Sequence, residues 1–125
     1  MYEVILFPTD GSDHATAALP HAIEHADRYG ATLDVLYAAG DEGDGEDVVE
    51  AAADRARDAG LEVNTAVVQG PPDEVIVDYV ADRGVDMVVM GSQGRGGLDR
   101  LVVGSVTESV LRRLEVPMLV VPDGG

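Results

Sequence analysis

Apolar and mixed segments alternate along the chain. Of five short segments, four are almost wholly apolar, and in the third apolar and polar residues alternate. Continuous apolar segments of this length are typical of strands in a sheet that is covered on both faces. These predicted strands are residues 2–7, 32–38, 62–68, 87–90 and 117–121. Between them, apolar residues at helical spacing predict helices over residues 13–29, 48–59, 73–83 and 105–114.

Proline and glycine mark where some of these elements are expected to end. Pro8 closes the first strand, and Gly30 ends the first helix. Pro20 lies inside the first helical pattern, where an interior proline costs about 3 kcal/mol or more. We therefore expect either a kink at Pro20 or a helix that begins late.

The alternation of strands and helices predicts a doubly wound α/β fold, a parallel sheet with helices on both faces. Right-handed crossovers leave few topologies, and five strands suit the order 3-2-1-4-5. In that order the switch point lies between the first and fourth strands, where residues 8–12 and residues 91–105 meet. Ligands of open α/β sheets bind at this point. We expect residues 1–125 to form one domain.

The loop over residues 91–105 carries the pattern G-x-x-G-x9-G-S. Glycines let backbone N–H groups approach an anion closely, and Gly104 and Ser105 open a helix whose N-terminus favours a phosphate. Arg95 adds a guanidinium that suits phosphate oxygens. The alternative is a flexible loop followed by an ordinary capping box between Ser105 and Glu108.

The loop after the first strand, residues 8–12, is the second candidate. Asp10 can accept hydrogen bonds from a ribose or a base. The alternative is that Asp10 only caps the following helix, a position that both Asp and Ser prefer. Without further evidence, an Asp at this position is more often a helix cap than a ligand contact, so the capping interpretation is favoured.

Other chemistries have weaker support. Residues 21–25 match the zinc-protease pattern H-x-x-E-H, with His21 and His25 on one helix face, but no third protein ligand is evident. Residues 12–14, Ser-Asp-His, are sequence neighbours and cannot form a nucleophilic triad with one another. The pattern G-x-x-x-x-G-K-[ST] of a P-loop is absent.

The charge is strongly acidic, with 24 Asp and Glu against 8 Lys and Arg and a net charge of −16. Such a charge repels nucleic acids and anionic membranes, so we expect neither as a partner. The acidic residues are interleaved with the apolar pattern, which favours a folded acidic surface over a disordered tail. Because molar salt shortens the Debye length to about 3 Å, this surface suits a halophilic source.

The remaining composition narrows the cellular setting. The chain has no Cys, so disulfides and thiolate metal sites are excluded. The first residues lack a basic leader, and no apolar run approaches the roughly 18 residues that span a bilayer. The expected location is the cytoplasm.

With these motifs in view, the chain resembles the universal stress proteins of the UspA superfamily. The matching segments run over nearly the whole sequence, and the glycine pattern is that of the ATP-binding branch. The matching segments are Leu-Phe-Pro-Thr-Asp-Gly-Ser at residues 6–12, Val-x-Gly-x-Pro at 68–72, the glycine-rich segment 86–98, Gly-Ser-Val-Thr-Glu at 104–108 and Val-Pro-Met-Leu-Val-Val at 116–121.

The resemblance implies a site for ATP or another adenine nucleotide, with Mg²⁺ as a counter-ion of the nucleotide. The implied nucleoside contacts are Pro8, Thr9, Asp10, Ala38, Met90 and Gly91. The implied phosphate contacts are Gly94, Arg95, Gly104, Ser105 and Val106. The resemblance also implies a binding module with a role in the stress response or in signalling, rather than an efficient enzyme. A non-enzymatic dimeric scaffold, whose pocket is empty or holds another anion, and a slow ATP phosphohydrolase remain alternatives.

The last strand predicts a homodimer. Residues 116–121 are apolar on both faces, yet the strand order places them at a sheet edge, where an uncovered apolar strand is prone to aggregate. Pro117 and Pro122 bracket the strand and limit its pairing to a few residues. A two-fold contact with the same strand of a second chain would close this edge, and the resemblance implies the same dimer.

Overall fold

The computed structural model describes residues 2–38, 45–92 and 103–122. The strands are β1 (Val4–Thr9), β2 (Thr32–Tyr37), β3 (Val63–Val67), β4 (Met87–Gly91) and β5 (Met118–Val121). The helices are α1 (Asp13–Thr16), α2 (Leu19–Tyr29), α3 (Gly45–Asp58), α4 (Pro72–Arg83) and α5 (Ser105–Arg113). The five strands form one parallel sheet in the order β3-β2-β1-β4-β5, which confirms the predicted fold. No helix in this described part is long and apolar enough to cross a membrane.

Helices cover both faces of the sheet and create two core layers. On one face α2 and α3 pack over a cluster that includes Phe7, Leu19 and Val49. On the other face α4 and α5 pack over a cluster that includes Leu6 and Ile76. The arrangement follows from right-handed crossovers, because the chain crosses the sheet in one direction from β1 to β3 and in the other from β3 to β5.

The first predicted helix is divided into α1 and α2, as the position of Pro20 suggested. Ser12 caps α1, with its Oγ accepting a hydrogen bond from the N–H of Ala15 at 3.1 Å. Pro20 lies in the first turn of α2, where a missing N–H and a fixed φ cost little. The late start of α2 is therefore confirmed, and α2 ends at Gly30 with φ 66°.

β1 does not end at Pro8. The predicted end at residue 7 is wrong, because β1 continues through Pro8 to Thr9 and pairs with β2 along its full length. A proline is tolerated in a strand only where its missing N–H is not needed by a neighbour.

The missing N–H of Pro8 faces β4. Successive residues of a strand direct their hydrogen bonds to opposite neighbours, and the carbonyl of Thr9 accepts from the N–H of Ala38 at 3.0 Å, on the β2 side. Pro8 therefore meets β4 without a donor. The ladder between β1 and β4 ends at Leu6, opposite Val88. These two strands form the switch point of the sheet, where open α/β sheets have a crevice at the carboxyl edge.

A buried carboxylate lies within the second layer. Asp34 of β2 is only 4% exposed, and its side chain accepts hydrogen bonds from the Tyr79 hydroxyl at 2.8 Å and from Asn64 Nδ2 at 3.1 Å. Arg83 lies over the Tyr79 ring, 5.2 Å from its centroid. Burial, together with the hydrogen bond to Asp34, raises the pKa of Tyr79 to about 12.

Candidate functional site

The crevice between β1 and β4 meets the beginning of α5. The N–H of Gly104 donates to the carbonyl of Ser92 at 2.7 Å, and the N–H of Ser92 donates to the carbonyl of Val121 at 2.9 Å. These bonds fix the start of α5 beside the end of β4. The two loops that the sequence analysis placed at the switch point therefore begin and end at the same edge of the sheet.

The N-terminus of α5 has no capping side chain. Gly104 is the N-cap residue, with φ −65° and ψ 158°, and Ser105 is the first helical residue. The capping-box alternative between Ser105 and Glu108 is wrong, because Ser105 lies one position too late and Glu108 pairs with Arg112 at 3.6 Å. The N–H groups of the first turn thus keep the capacity to bind an anion.

Two polar residues beside this helix start were missed by the sequence analysis. Thr107 is buried, and its Oγ1 donates to the carbonyl of Gly91 at 2.9 Å, which holds α5 against β4. Ser92 is 5% exposed, and within the described ranges its Oγ has no hydrogen-bond partner. A signal for Ser92 was available, since a serine directly after an apolar strand lies at the ligand-binding edge.

The loop after β1 is ordered by its own side chains. Asp10 Oδ1 accepts from the N–H of Ser12 at 2.9 Å, and Thr9 Oγ1 accepts from the N–H of Gly11 at 3.0 Å. Gly11 has φ 83°, a conformation that favours glycine. Because Ser12 caps α1, the capping interpretation of Asp10 is wrong. Asp10 instead shapes the loop at the crevice.

Three of the implied nucleoside contacts lie in the same layer of the sheet. Leu6 faces Val88 across β1 and β4, so Pro8 and Met90 are the next residues at matching height. Ala38 and Met90 are both buried in the cluster under α4 and α5. The crevice therefore has an apolar wall at the level where the strands end.

Gly91 has a structural reason to be glycine. A Cβ at this position would lie 2.7 Å from the carbonyl oxygen of His14 and 3.2 Å from Cα of Ala15. The backbone of α1 therefore packs directly on the end of β4. This contact accounts for the glycine independently of any ligand.

Other predicted site residues have different outcomes. Gly94 and Arg95 lie outside the described residues. In the H-x-x-E-H segment, His25 Nδ1 lies 2.8 Å from the carbonyl oxygen of His21, one turn earlier in α2. Among the residues that the structure describes, no group of three or more His, Asp or Glu is placed to hold a metal.

The open parallel sheet in the order β3-β2-β1-β4-β5, with helices on both faces, defines a protein of the doubly wound α/β class. The model of the universal stress protein family matches residues 1–52 and 38–122 in two overlapping segments. The chain belongs to this family, which confirms the resemblance seen in the sequence.

Individual relatives share the whole fold. Universal stress protein MJ0531 of Methanocaldococcus jannaschii is 30% identical over 140 residues, covering 97% of this chain and 82% of the relative. The solved structure of MJ0577, from the same organism, has a TM-score of 0.88 at 30% identity and covers 97% of this chain and 96% of that one. A universal stress protein solved in complex with cAMP has a TM-score of 0.84 at 27% identity and covers 98% of both chains.

Proposed function

We propose that this universal stress protein binds an adenine nucleotide, with ATP as the first candidate, in the crevice between β1 and β4. The observation that carries the proposal is the uncapped start of α5, next to the buried hydroxyl of Ser92. A phosphate there would accept hydrogen bonds from the N–H groups of Ser105 and Val106 and from Ser92 Oγ. The relative solved with cAMP supports an adenine nucleotide as the ligand class.

The position proposed for the phosphates determines where the nucleoside would lie in the crevice. With the phosphates at α5, the nucleoside would lie along the apolar wall formed by Pro8, Ala38 and Met90. The loop residues Thr9 and Asp10 border this wall, and Asp10 is the acceptor for the ribose or the base. In addition, we assign Gly91 to the nucleoside end of the site.

The glycine-rich loop completes the phosphate end of the proposed site. We assign Gly94 and Arg95 to the phosphates, together with Gly104, on the basis of the sequence pattern. Mg²⁺ would accompany ATP as its counter-ion. No residue has been assigned as a general base, so the proposed activity is binding within a stress-response or signalling module. Slow hydrolysis of ATP is the alternative, and a turnover assay under saturating ATP tests it.

Gly104→Val tests the phosphate assignment. An extended N-cap with φ −65° accepts a β-branched residue, so the fold should persist, whereas the branch would cover the N–H groups of the first turn. We expect ATP affinity measured by calorimetry to fall at least about tenfold, or about 1.4 kcal/mol. Leu111→Gln is the control, because Leu111 is exposed and lies near the C-terminal end of the same helix. Wild-type affinity in Gly104→Val would refute the assignment.

Asp10 variants test the nucleoside assignment. Asp10→Asn keeps an oxygen that can accept from the N–H of Ser12, while Asp10→Ala removes it. Asp10→Ala should lose more ATP affinity than its change in unfolding free energy accounts for, and Asp10→Asn should preserve the loop. If Asp10→Ala lowers stability but leaves ATP affinity unchanged, Asp10 serves only the loop.

The acidic surface leads to a proposal about salt and source. We propose a halophilic source, and a nucleotide site that works in high salt, because the net charge of −16 repels ATP at long range and molar salt screens this repulsion. ATP affinity should hold or rise from low to molar KCl. A steep loss of affinity over this range, with the protein folded throughout, contradicts the proposal.

We also propose a homodimer through residues 116–121, with the cytoplasm as the location of the protein. Met118, Leu119 and Val120 are only half-buried, and in the described structure β5 pairs with β4 alone. Closing this edge against a second copy would bury them. Leu119→Glu should give monomers or precipitate, whereas light scattering that shows a wild-type monomer at micromolar concentration would refute the dimer. Cell fractionation tests the location.

A further inference from the structure

A second cleft lies on the opposite face of the sheet, between α2 and α3. α2 packs over β1, β2 and β4, while α3 packs over β2 and β3. Both helices bury mainly alanines, whose short side chains do not fill the space between two helices. The result is a cleft of about 520 Å³, within the range of small-molecule sites.

The cleft has an apolar interior with a charged end. Phe7, Leu19 and Val48 line it, and Phe7 lies at its base with 1% of its surface exposed. Ala51 leaves room at the mouth, and Arg55 lies one turn further along α3. An aromatic ring packs well against such a surface, because flat rings bury much apolar area and pair favourably with other rings.

Arg55 is one of three described arginines, together with Arg28 and Arg83, that have no carboxylate within ion-pair distance among the described residues. In a chain with three times as many acidic as basic residues, Arg57, Arg112 and Arg113 all form ion pairs. Arg55 lines the cleft, and among the residues that the structure describes it has no carboxylate within ion-pair distance. A guanidinium at the end of an apolar cleft suits an anionic group on an otherwise apolar ligand.

Asp47 sets the orientation of that ligand. It lines the same cleft eight residues before Arg55, which places the two charges about 12 Å apart along α3. A negative group would be repelled near Asp47 and attracted near Arg55. The cleft therefore favours one anionic end at Arg55.

This cleft opens on the other face of the sheet from the proposed nucleotide site, and the loop after β1 borders both. Ala38 and Met90 belong to the layer under α4 and α5, whereas the cleft opens in the layer under α2 and α3. Thr9, which is assigned to the nucleotide site, and Gly11 of the same loop also line the cleft. A nucleotide held at the start of α5 would leave this space open.

We propose that the cleft between α2 and α3 is a second ligand site, for a compact aromatic molecule that carries one carboxylate or sulfonate. Its ring would enter beside Val48 and Ala51, the apolar lining residues that keep exposed surface, and its anionic group would pair with Arg55. The proposal does not depend on nucleotide binding.

The test uses an anilinonaphthalene sulfonate dye and its neutral phenylnaphthylamine analogue, titrated against the folded protein at fixed salt. We expect saturable binding of one sulfonate dye per chain. Ala51→Phe should weaken it at least about tenfold, because a ring would occupy the mouth of the cleft and Ala51 is exposed enough to accept the change. Circular dichroism and thermal melting confirm that each variant is folded.

Arg55→Gln and Arg57→Gln form the matched pair, since they remove the same charge from two positions of α3. Arg55→Gln should lower the affinity for the sulfonate dye at least about fivefold and leave the affinity for the neutral analogue unchanged. Arg57→Gln should change neither affinity by more than about twofold. Saturating ATP should leave the dye bound. Equal losses in both Arg variants, full binding by folded Ala51→Phe, displacement of the dye by ATP, or no saturable binding would each overturn the proposal.

Discussion

Tyr79→Phe gives a direct measure of what the buried carboxylate of Asp34 requires. The change removes one oxygen atom, the hydroxyl that donates to Asp34 at 2.8 Å, and keeps the ring that packs under Arg83. Asp34 would then keep only the hydrogen bond from Asn64 in the described structure. A buried carboxylate that loses a donor cannot recover it from water.

The expected cost follows from this burial. Hydrogen bonds to charged groups contribute about 1.5–3 kcal/mol, and the value here should fall in that range because Asp34 is 4% exposed. An unfolding entropy of about 2.1 cal/mol/K per residue gives roughly 0.26 kcal/mol/K for 125 residues. The melting temperature should therefore fall by roughly 6–11 °C.

Urea denaturation at fixed salt and neutral pH measures the change in unfolding free energy. Asn64→Ala is the control, because Asn64 is exposed and water can replace its amide; we expect a loss below about 1 kcal/mol. In the Asp34→Asn background, Tyr79→Phe should cost less, since the acceptor is then neutral. A loss below about 0.5 kcal/mol, or an equal loss in both backgrounds, would refute this reasoning.

Three further predictions concern pH and packing. Since the pKa of Tyr79 is raised to about 12, its contribution to stability is complete below pH 10 and should disappear as pH rises toward 12, which tyrosinate absorbance and denaturation can follow. The hydrogen bond from Ser109 lowers the pKa of Asp73, so Ser109→Ala should cost about 0.5–1.5 kcal/mol at neutral pH, and the difference should shrink as pH falls below 3.8. Gly91→Ala should destabilise the fold by about 1–3 kcal/mol, measured in urea, because its Cβ would meet the carbonyl of His14.

Each of these predictions has an outcome that contradicts it. Tyr79→Phe should not show the loss of stability that Tyr79 causes at alkaline pH. If stability falls with alkaline pH in this variant as it does in the wild type, the first prediction is wrong. A Ser109→Ala deficit that stays constant down to pH 2 shows that Asp73 is not its source. For the prediction about Gly91, Gly84→Ala is the control. Gly84 has φ 63° and open space around its Cβ position, so an alanine there causes backbone strain without a steric clash. Wild-type stability in Gly91→Ala would mean that α1 moves freely.

The sequence allowed the fold to be predicted in detail, because the apolar pattern and the chain crossovers are largely local properties. The order of the strands and the late start of α2 at Pro20 both follow from such rules. The predicted end of β1 at residue 7 was wrong because a proline removes a hydrogen-bond donor on only one side of a strand, and β1 continues to pair with β2 on the other side. Which side needs a donor depends on the neighbouring strand and not on the proline itself.

The candidate site could be located from the sequence but not resolved into roles. Ser105 followed by Glu108 matches a capping box, and only the backbone of Gly104 shows that Gly104 is the N-cap and that the helix begins one residue earlier than the capping box implies. Similarly, Gly91 matched a ligand-binding glycine, while its contact is with α1, more than seventy residues earlier in the chain. The partner of Asp34, 45 residues away on α4, has no local signal either.

Pro8 has a consequence for how this binding edge can change over time. The ladder between β1 and β4 ends at Leu6 and Val88, and Pro8 has no N–H with which to extend it. Substitutions of the side chains around this edge leave that restriction unchanged, because it lies in the backbone of residue 8. In the proposed site, the side chains that would contact a ligand can therefore vary while the missing donor at residue 8 stays the same.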